Sequence, residues 1–394
     1  MKSYYSLGLM SGTSGDGVDA SIIQSDGDTE YKVILDKYFR YSQVIYESIH
    51  NLKDKINNSK ELKNLSKEVD SLEKEITLFH AGVVDEIIKV SKVNIDFVGF
   101  HGQTIFHNPK EKISRQLGDG RLLSQQTKKT VVYNFRQNDL KNGGQGAPLT
   151  PIFHKLMVKK YKLGIPSIIL NIGGIANATA IEFDQTTKGI DVGPGNCIID
   201  QWVRLNSKKK YDENGNIAKS GKVNQKIFKN CLDGSNDFLE KISKRISEDQ
   251  THSIHLTALD TKDYDISYFK GLSLEDGAAT ITAITADLIA KSLGLILFDG
   301  SDNIIVSGGG RKNNFLLETI AEKIKLKRTS LPKLRAPQWS VTLKLIDDYG
   351  IDGDFVESQA FAYLSIRSYL KLPISFPSTT GVIEPCTGGV IVKN

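Results

Sequence analysis

Three cysteines in 394 residues, Cys197, Cys231 and Cys386, are too few, too scattered and odd in number to build a disulfide framework or a zinc site. They read as free thiols in a reducing compartment, so a cytoplasmic protein is the expectation. Long apolar runs are missing as well. None approaches the ~20 residues of a membrane helix, and the start, "MKSYYSLGLM", turns polar by Ser11, too soon for a signal peptide. A strong charge imbalance is also lacking. The net charge is +5, acidic residues are interspersed among the lysines, and the lysine run at 208–210 reads as a solvated loop. Neither nucleic acid nor membrane is expected as a partner. No internal period of roughly 20–50 residues marks a solenoid. No Gly-Lys-Ser/Thr closes a phosphate loop, and no Gly-x-Gly-x-x-Gly follows a first strand, which disfavours a nicotinamide cofactor.

What is present is a soluble-globular composition, 39% hydrophobic and 25% charged, in a chain long enough for two or three domains. Residues 4–9 and 18–24 predict a hairpin around a Gly/Ser/Asp turn, and "YKVILDKYF" a further β segment. Leu62, Leu65, Val69, Leu72, Ile76, Phe79 and Val83 recur at steps of three and four, predicting one long amphipathic helix over about 61–92 that packs on a sheet. "IDFVGF" predicts a strand that delivers "HGQT" at its end, and "VVYNF" a buried strand ending at Arg136. The stretch "GGQGAPLTP" at 143–151 sets a boundary between lobes 1–148 and 149–394, with a C-terminal segment packing back on the first lobe. The second lobe opens like the first: "SIILNIGGIANATAIEF" is again strand, Gly-rich turn, strand. Then come "GIDVGPGNCIIDQWV" (strand, tight turn, helix), a polar lysine-rich stretch over 204–250, and a helix capped by Ser273. "NIIVSGGGRKNNFLLETIAEKI" (strand, three glycines, helix) and the helix "ESQAFAYLSIRSYL" follow. Alternating strands and helices with Gly-rich strand ends mean an α/β fold.

Four Gly-rich turns at strand ends, 12–17, 173–174, 193–195 and 308–310, are candidate anion nests, because glycine lets backbone N–H groups approach a ligand. Two hairpin tips plus a Gly-rich helix start are what a nucleotide in an interlobe cleft needs. Asp16 and Asp19 beside the first tip would repel phosphates unless a cation lies between, and Mg²⁺ joins one or two carboxylates to phosphate. Asp191, before the Gly-Pro-Gly turn, is placed to act as a base. Arg136 suits a clamp on a carboxylate or phosphate. His101 and His107, with no third ligand near them, read as structural histidines rather than a metal pair.

These stretches resemble a known family. "LGLMSGTSGDGVDA", "GFHGQT", "QLGDG", "NFRQND", "GGQGAPLTP", "NIGGIAN", "DVGPGN", "LSLEDGAAT", "VSGGGRKNNFL" and "ESQAFAYL" stand in the order found in anhydro-N-acetylmuramic acid kinases. The resemblance implies a two-lobed actin-like ATPase fold, ribonuclease H-like in each lobe, with an interlobe cleft. It implies ATP, Mg²⁺, water and 1,6-anhydro-N-acetylmuramic acid as reactants of peptidoglycan recycling, in a cytoplasmic homodimer. The ring is opened by water at C1 while O6 is phosphorylated. By motif match Asp191 is the base. Gly12, Thr13, Ser14, Gly15, Asp16, Gly17, Val18 and Asp19 hold the ATP phosphates, with Gly173 and Gly174 in the second tip and Gly308, Gly309 and Gly310 near the adenosine. Asp16 and Asp19 reach Mg²⁺ through the phosphates. Arg136, Thr104 and Glu357 line the sugar site. The chain departs from the family at Gly15, where a larger residue is usual, and at 256–270, where "LTALDTKDYDISYF" replaces a "KSTGRE"-like segment. The second departure is expected to bear on closure or nucleotide contacts and to leave the Asp191 motif intact. Alternatives are a kinase of an ordinary sugar hydroxyl, an actin- or Hsp70-like ATPase, or a sugar-binding protein without kinase activity.

Overall fold

In the computed structural model, which describes residues 2–232, 258–294, 296, 303–329 and 342–394, the chain divides into two compact units. One is Met1–Lys162 with Asp354–Asn394, the other Leu163–Gly353. The division thus falls at Lys162 rather than near 148. Helix Pro151–Tyr161 groups with the first unit because Phe153 is fully buried there, edge-on to Tyr31 and beside Tyr363. Residues 233–250 of the lysine-rich stretch and 256–257 of the departing segment lie outside the described residues.

In the first unit, β1 (Tyr4–Ser11), β2 (Gly17–Ser25) and β3 (Tyr31–Arg40) form an antiparallel meander. β4 (Phe97–Asn108) runs parallel to β1, and β5 (Ile113–Leu117) folds back on it. β6 (Thr130–Tyr133) lies parallel beyond β4. Leu7, Leu9, Val18, Ala20 and Ile22 are fully buried, the alternation that a covered sheet face requires. Helix Ser66–Ser91 buries Val69, Leu72, Ile76 and Val84 in the same core. The expected single helix over 61–92 is two, Ser59–Asn64 and Ser66–Ser91. Leu65 leaves helical geometry (φ −93°, ψ 17°), and its N–H closes the first helix on the Glu61 carbonyl.

Helix Val356–Tyr369 also packs on this sheet, and very closely. A Cβ on Gly8 would lie 1.9 Å from the Ser358 carbonyl oxygen, and one on Gly99 2.3 Å from that of Phe361. Serine pairs seal the contact, Ser6 with Ser365 (2.7 Å) and Ser21 with Ser358 (2.6 Å). β4 does not stop at "HGQT" but runs through it. Leu9 pairs with Phe100 and Met10 with Gly102, so His101 is the extra residue of a β-bulge, a device that re-aims a side chain.

In the second unit, β7 (Ser167–Ile172), β8 (Ile175–Ile181) and β9 (Thr187–Pro194) form another antiparallel meander. β10 (Asn303–Ser307) and β11 (Thr342–Leu345) lie parallel beyond β7. β12 (Val390–Val392) returns to pair with β6 in the first unit. The two orders, β12-β6-β4-β1-β2-β3 and β11-β10-β7-β8-β9, share one core: the third, second and first strands of the meander, then two parallel strands. That recurrence is the two-lobed, ribonuclease H-like plan of the actin-like ATPases. Helix Leu274–Leu293 starts on Ser273, whose hydroxyl accepts the Asp276 N–H at 3.1 Å. None of the three cysteines is joined in a disulfide. Among the described residues no helix is long and apolar enough to cross a membrane.

Candidate active site

The first hairpin tip is braced from outside. Gly15 takes φ +63°, and its N–H closes a turn on the Gly12 carbonyl at 3.2 Å. Gly17 has no room for a side chain, since a Cβ would meet the Phe39 carbonyl at 2.4 Å. Gly12 is different. Its Cβ would meet only the Ser14 hydroxyl, at 3.7 Å, so the chain itself does not demand glycine there. Carbonyls of the tip are occupied: Gln103 Nε2 donates to Gly12 (2.9 Å), Lys53 Nζ to Thr13 (3.1 Å), and His50 Nε2 to Ser14 (3.0 Å). Val18 is wholly buried beneath the tip. Asp16 accepts from the Ser14 hydroxyl and from Tyr38 Oη at 3.1 Å. Asp19 pairs with Tyr38 across β2 and β3. Burial, then Asp16, then Asp19, push the Tyr38 phenol well above its ordinary pKa, so both carboxylates act on one spot. Two hard-oxygen carboxylates, and among the described residues no group of three metal-ligating side chains, make a poor cage but a fitting half-site for Mg²⁺ shared with phosphates.

In the same unit Arg136 is held in a fork. Its Nε and Nη2 reach His101 Nε2 at 3.2 and 3.0 Å, and Nη1 donates to the Gly146 carbonyl at 2.8 Å. His101 Nδ1–H donates to the Gly102 carbonyl at 2.8 Å. Burial, and then the Arg136 guanidinium, hold His101 well below its ordinary pKa. It is therefore a neutral imidazole whose Nε2 lone pair faces the guanidinium. The Gly146 carbonyl is fixed in turn by Asp139, which accepts the Gly146 N–H at 2.6 Å and the Thr380 hydroxyl at 2.5 Å. Glu357, in the first turn of helix Val356–Tyr369, has its carboxyl pKa raised by burial and pulled back by Arg136. The structure thus brings Arg136, His101 and Glu357 together. Thr104, half-buried further along β4, accepts from Gln116 Nε2 at 3.2 Å.

The second unit gathers the other loops. Gly173 and Gly174 form the β7–β8 tip. Their carbonyls accept N–H groups from Asn196 (2.8 Å), Gly195 (2.9 Å) and Cys197 (3.2 Å). The 193–195 turn is therefore docked on the tip with its Gly195 donor spent, and the expected anion nest there is a structural clasp. Gly308 (φ +77°) and Gly310 are forced by contact with Asn171 and Ile172, whereas among the described residues nothing lies within 4 Å of a Cβ on Gly309. Arg311, buried, locks this loop: Nε and Nη2 reach Asp347 at 2.6 and 3.0 Å, and Nη1 the Gly308 carbonyl at 3.2 Å. Asp191 stands on β9, and its Oδ2 accepts the Leu259 N–H at 2.8 Å.

Residues 4–394 match the family model described as anhydro-N-acetylmuramic acid kinase. The chain belongs to the anhydro-N-acetylmuramic acid kinase family. Two relatives of that name come from Pelagibacter ubique, 52% identical with 100% of this chain and 99% of that one covered, and Zymomonas mobilis, 34% identical with 98% of each covered. Among solved structures, the activator of the 2-hydroxyisocaproyl-CoA dehydratase from Clostridium difficile is 12% identical, with a TM-score of 0.39 over 93% of this chain and 97% of that one.

Within the family frame the departing segment is not remote from the Asp191 motif. Leu259 lies in it and touches the carboxylate. Two tight turns follow, Thr261–Asp263 and Ile266–Phe269. The first is closed by a reciprocal cap between Asp260 and Asp263, and the second is anchored by Phe269 buried against Trp202. Lys53, His50, Gln103, Asp139, Arg311 and the orienting role of His101 escape a reading of the sequence alone. Asp139 lies within "NFRQND" and Arg311 within "VSGGGRKNNFL", so only motif membership pointed at them.

Proposed function

We propose that this chain is an ATP-dependent kinase of 1,6-anhydro-N-acetylmuramic acid, giving N-acetylmuramic acid 6-phosphate and ADP in peptidoglycan recycling. The family match over residues 4–394 carries this reading. O6 of the anhydro sugar is an ether oxygen with no proton to remove, and it becomes a nucleophile only as C1–O6 breaks. The base must then act on water. Asp191 takes that proton, a role supported by its place on β9 and by the Leu259 N–H that orients its carboxylate. Arg136, oriented by His101 and the Gly146 carbonyl, takes an anionic or carbonyl group of the sugar, with Thr104 and Glu357 beside it. The loop over 12–19, the tip at Gly173 and Gly174, and Gly308, Gly309 and Gly310 hold ATP. The open backbone at Gly12, Gly173 and Gly309 supports this, because no contact among the described residues requires glycine at those three places. Asp16 and Asp19 would hold Mg²⁺ through the phosphates, where it would neutralise their charge. The family resemblance supports a homodimer, and three cysteines outside any disulfide support a cytoplasmic location.

The test is Asp191→Asn, which keeps shape but cannot accept a proton. Turnover should fall ~10²–10⁴-fold while sugar and ATP still bind by calorimetry. In ¹⁸O-water the label should enter the C1 hydroxyl of freshly formed product and not the phosphate ester oxygen. Full activity of Asp191→Asn, or early product unlabelled at C1, overturns the reading.

A further inference from the structure

The carbonyls of the first hairpin tip are tied back, one after another, to the body of their own unit. Gly12 accepts from Gln103 Nε2 (2.9 Å), Thr13 from Lys53 Nζ (3.1 Å) and Ser14 from His50 Nε2 (3.0 Å). Asp16 accepts from the Tyr41 N–H (2.9 Å) and from Tyr38 Oη (3.0 Å). A carbonyl oxygen carries no proton, so in each bond the partner is the donor. Two of these donors stand on one helix, Gln43–Lys55. Ile45, Ile49 and Leu52 bury its inner face in the core, which makes it a firm platform. His50 and Lys53, three positions apart, are neighbours on its surface. Tyr46, one turn before His50, packs its ring on the imidazole with 4.4 Å between centroids and sets its aim. Gly15 lets the helix come this close. At φ +63°, a Cβ there would meet Ile49 Cγ2 at 3.0 Å and His50 Nε2 at 3.7 Å.

The consequence is the polarity of the tip. Residues 12–15 make a turn closed by the Gly15 N–H on the Gly12 carbonyl. Its central peptide joins Thr13 to Ser14. In a turn of this size the central peptide is the one that differs between types I and II, with its C=O and N–H exchanged. The exchange decides what a phosphate meets. Phosphate oxygens are acceptors, so backbone N–H groups bind them and a carbonyl turned towards them repels. In a trans peptide the C=O and N–H point opposite ways. The hold of Lys53 on the Thr13 carbonyl therefore sends the Ser14 N–H to the other side of the turn. His50 fixes the next peptide in the same manner, which keeps the Gly15 N–H on the Gly12 carbonyl. Ser14 itself is exposed, and Gly12 and Thr13 are half-buried, so the turn is within reach of a ligand.

We propose that Lys53 and His50 are positioning residues for the phosphates of ATP. They hold the Thr13 and Ser14 carbonyls away from the nucleotide, so that the tip offers it N–H groups. They act through the backbone and touch no reacting atom. Lys53 has the larger share, because it holds the central peptide and its bond is charge-assisted. This inference rests on the reading that residues 12–19 hold the ATP phosphates.

Adenosine separates this role from a merely structural one, since it has the base and ribose of ATP and no phosphate. Lys53→Met keeps the length of the side chain and loses the donor. It should raise KM for ATP roughly 10- to 100-fold, and His50→Ala roughly 3- to 10-fold. KM for the sugar should stay near wild type in both. The inhibition constant of adenosine, competing with ATP, should also be unchanged. Lys53→Arg and His50→Gln, which retain a donor, should recover most of the loss. A wild-type KM for ATP in both Lys53→Met and His50→Ala overturns the inference. So does adenosine weakened as much as ATP, or a failure of the donor-retaining variants to do better than Lys53→Met and His50→Ala. A Gly12→Ala enzyme with normal ATP kinetics would instead sink the reading of the loop, so the two failures are told apart.

Discussion

Arg136→Lys keeps the charge and loses the fork. The guanidinium meets His101 with two nitrogens and the Gly146 carbonyl with a third, and a single ammonium cannot reproduce that geometry. Charge-assisted hydrogen bonds are worth about 1.5–3 kcal/mol. The variant should therefore lose ~10–150-fold in kcat/KM for the sugar, with ATP affinity unchanged by calorimetry. Unaltered sugar kinetics would place Arg136 outside the site. Arg136 itself was legible from its motif, but not as the end of a strand: β6 stops at Tyr133, and Arg136 is the N-cap of helix Gln137–Lys141. Its orienting partners were not legible, because His101 lies 35 positions away in the chain and is turned by a bulge that no residue type announces. The Leu259 contact to Asp191 spans 68 positions and uses a backbone N–H, so side-chain identity carries no trace of it.

Elements were read well where periodicity was local and poorly where tertiary contact set the ends. The hairpins that open both units and the Ser273 cap follow from local pattern and capping chemistry. The break at Leu65 and the passage of β4 through "HGQT" do not, since Leu65 continues the apolar period and β4 is prolonged by pairing with β5. The glycines divide in a testable way. Gly8 lets helix Val356–Tyr369 approach β1, and a methyl group there would sit 1.9 Å from a carbonyl oxygen. Gly8→Ala should cost at least ~1–3 kcal/mol, lowering Tm by several degrees and shifting the turn that carries Glu357. Gly12→Ala meets only ordinary contact, with the Ser14 hydroxyl at 3.7 Å among the described residues. It should melt like wild type yet raise KM for ATP. A Gly12→Ala enzyme with normal ATP kinetics would remove that loop from the nucleotide site.

At the scale of the whole molecule, acid should act on the two units unequally. His80, His101 and His154 are buried, and all three lie in the first unit. Burial lowers His80 to about 4 and His154 to about 3, and burial with Arg136 holds His101 well below 6.5. In the unfolded chain these imidazoles take up protons near pH 6.5. Between that value and their folded pKa values the unfolded state binds more protons, so stability falls as pH falls. Each histidine contributes up to about 1.4 kcal/mol per pH unit in that window. Carboxylates add their loss only lower down: Asp347, held down by Arg311 in the second unit, and Asp26, lowered to about 2 by backbone and Thr29 hydrogen bonds that outweigh its burial. Trp202 lies in the second unit, and Trp339 lies outside the described residues. In a Trp339→Phe variant tryptophan fluorescence therefore reports the second unit, while far-ultraviolet circular dichroism reports both. Titrated from pH 7 to 4.5, the protein should lose ellipticity in thermal scans at lower temperature than it loses native fluorescence, and the gap should widen as pH drops. Stability that stays flat over this range, or tryptophan signals that fail first, would mean that these histidines are reached by solvent and do not carry the acid response.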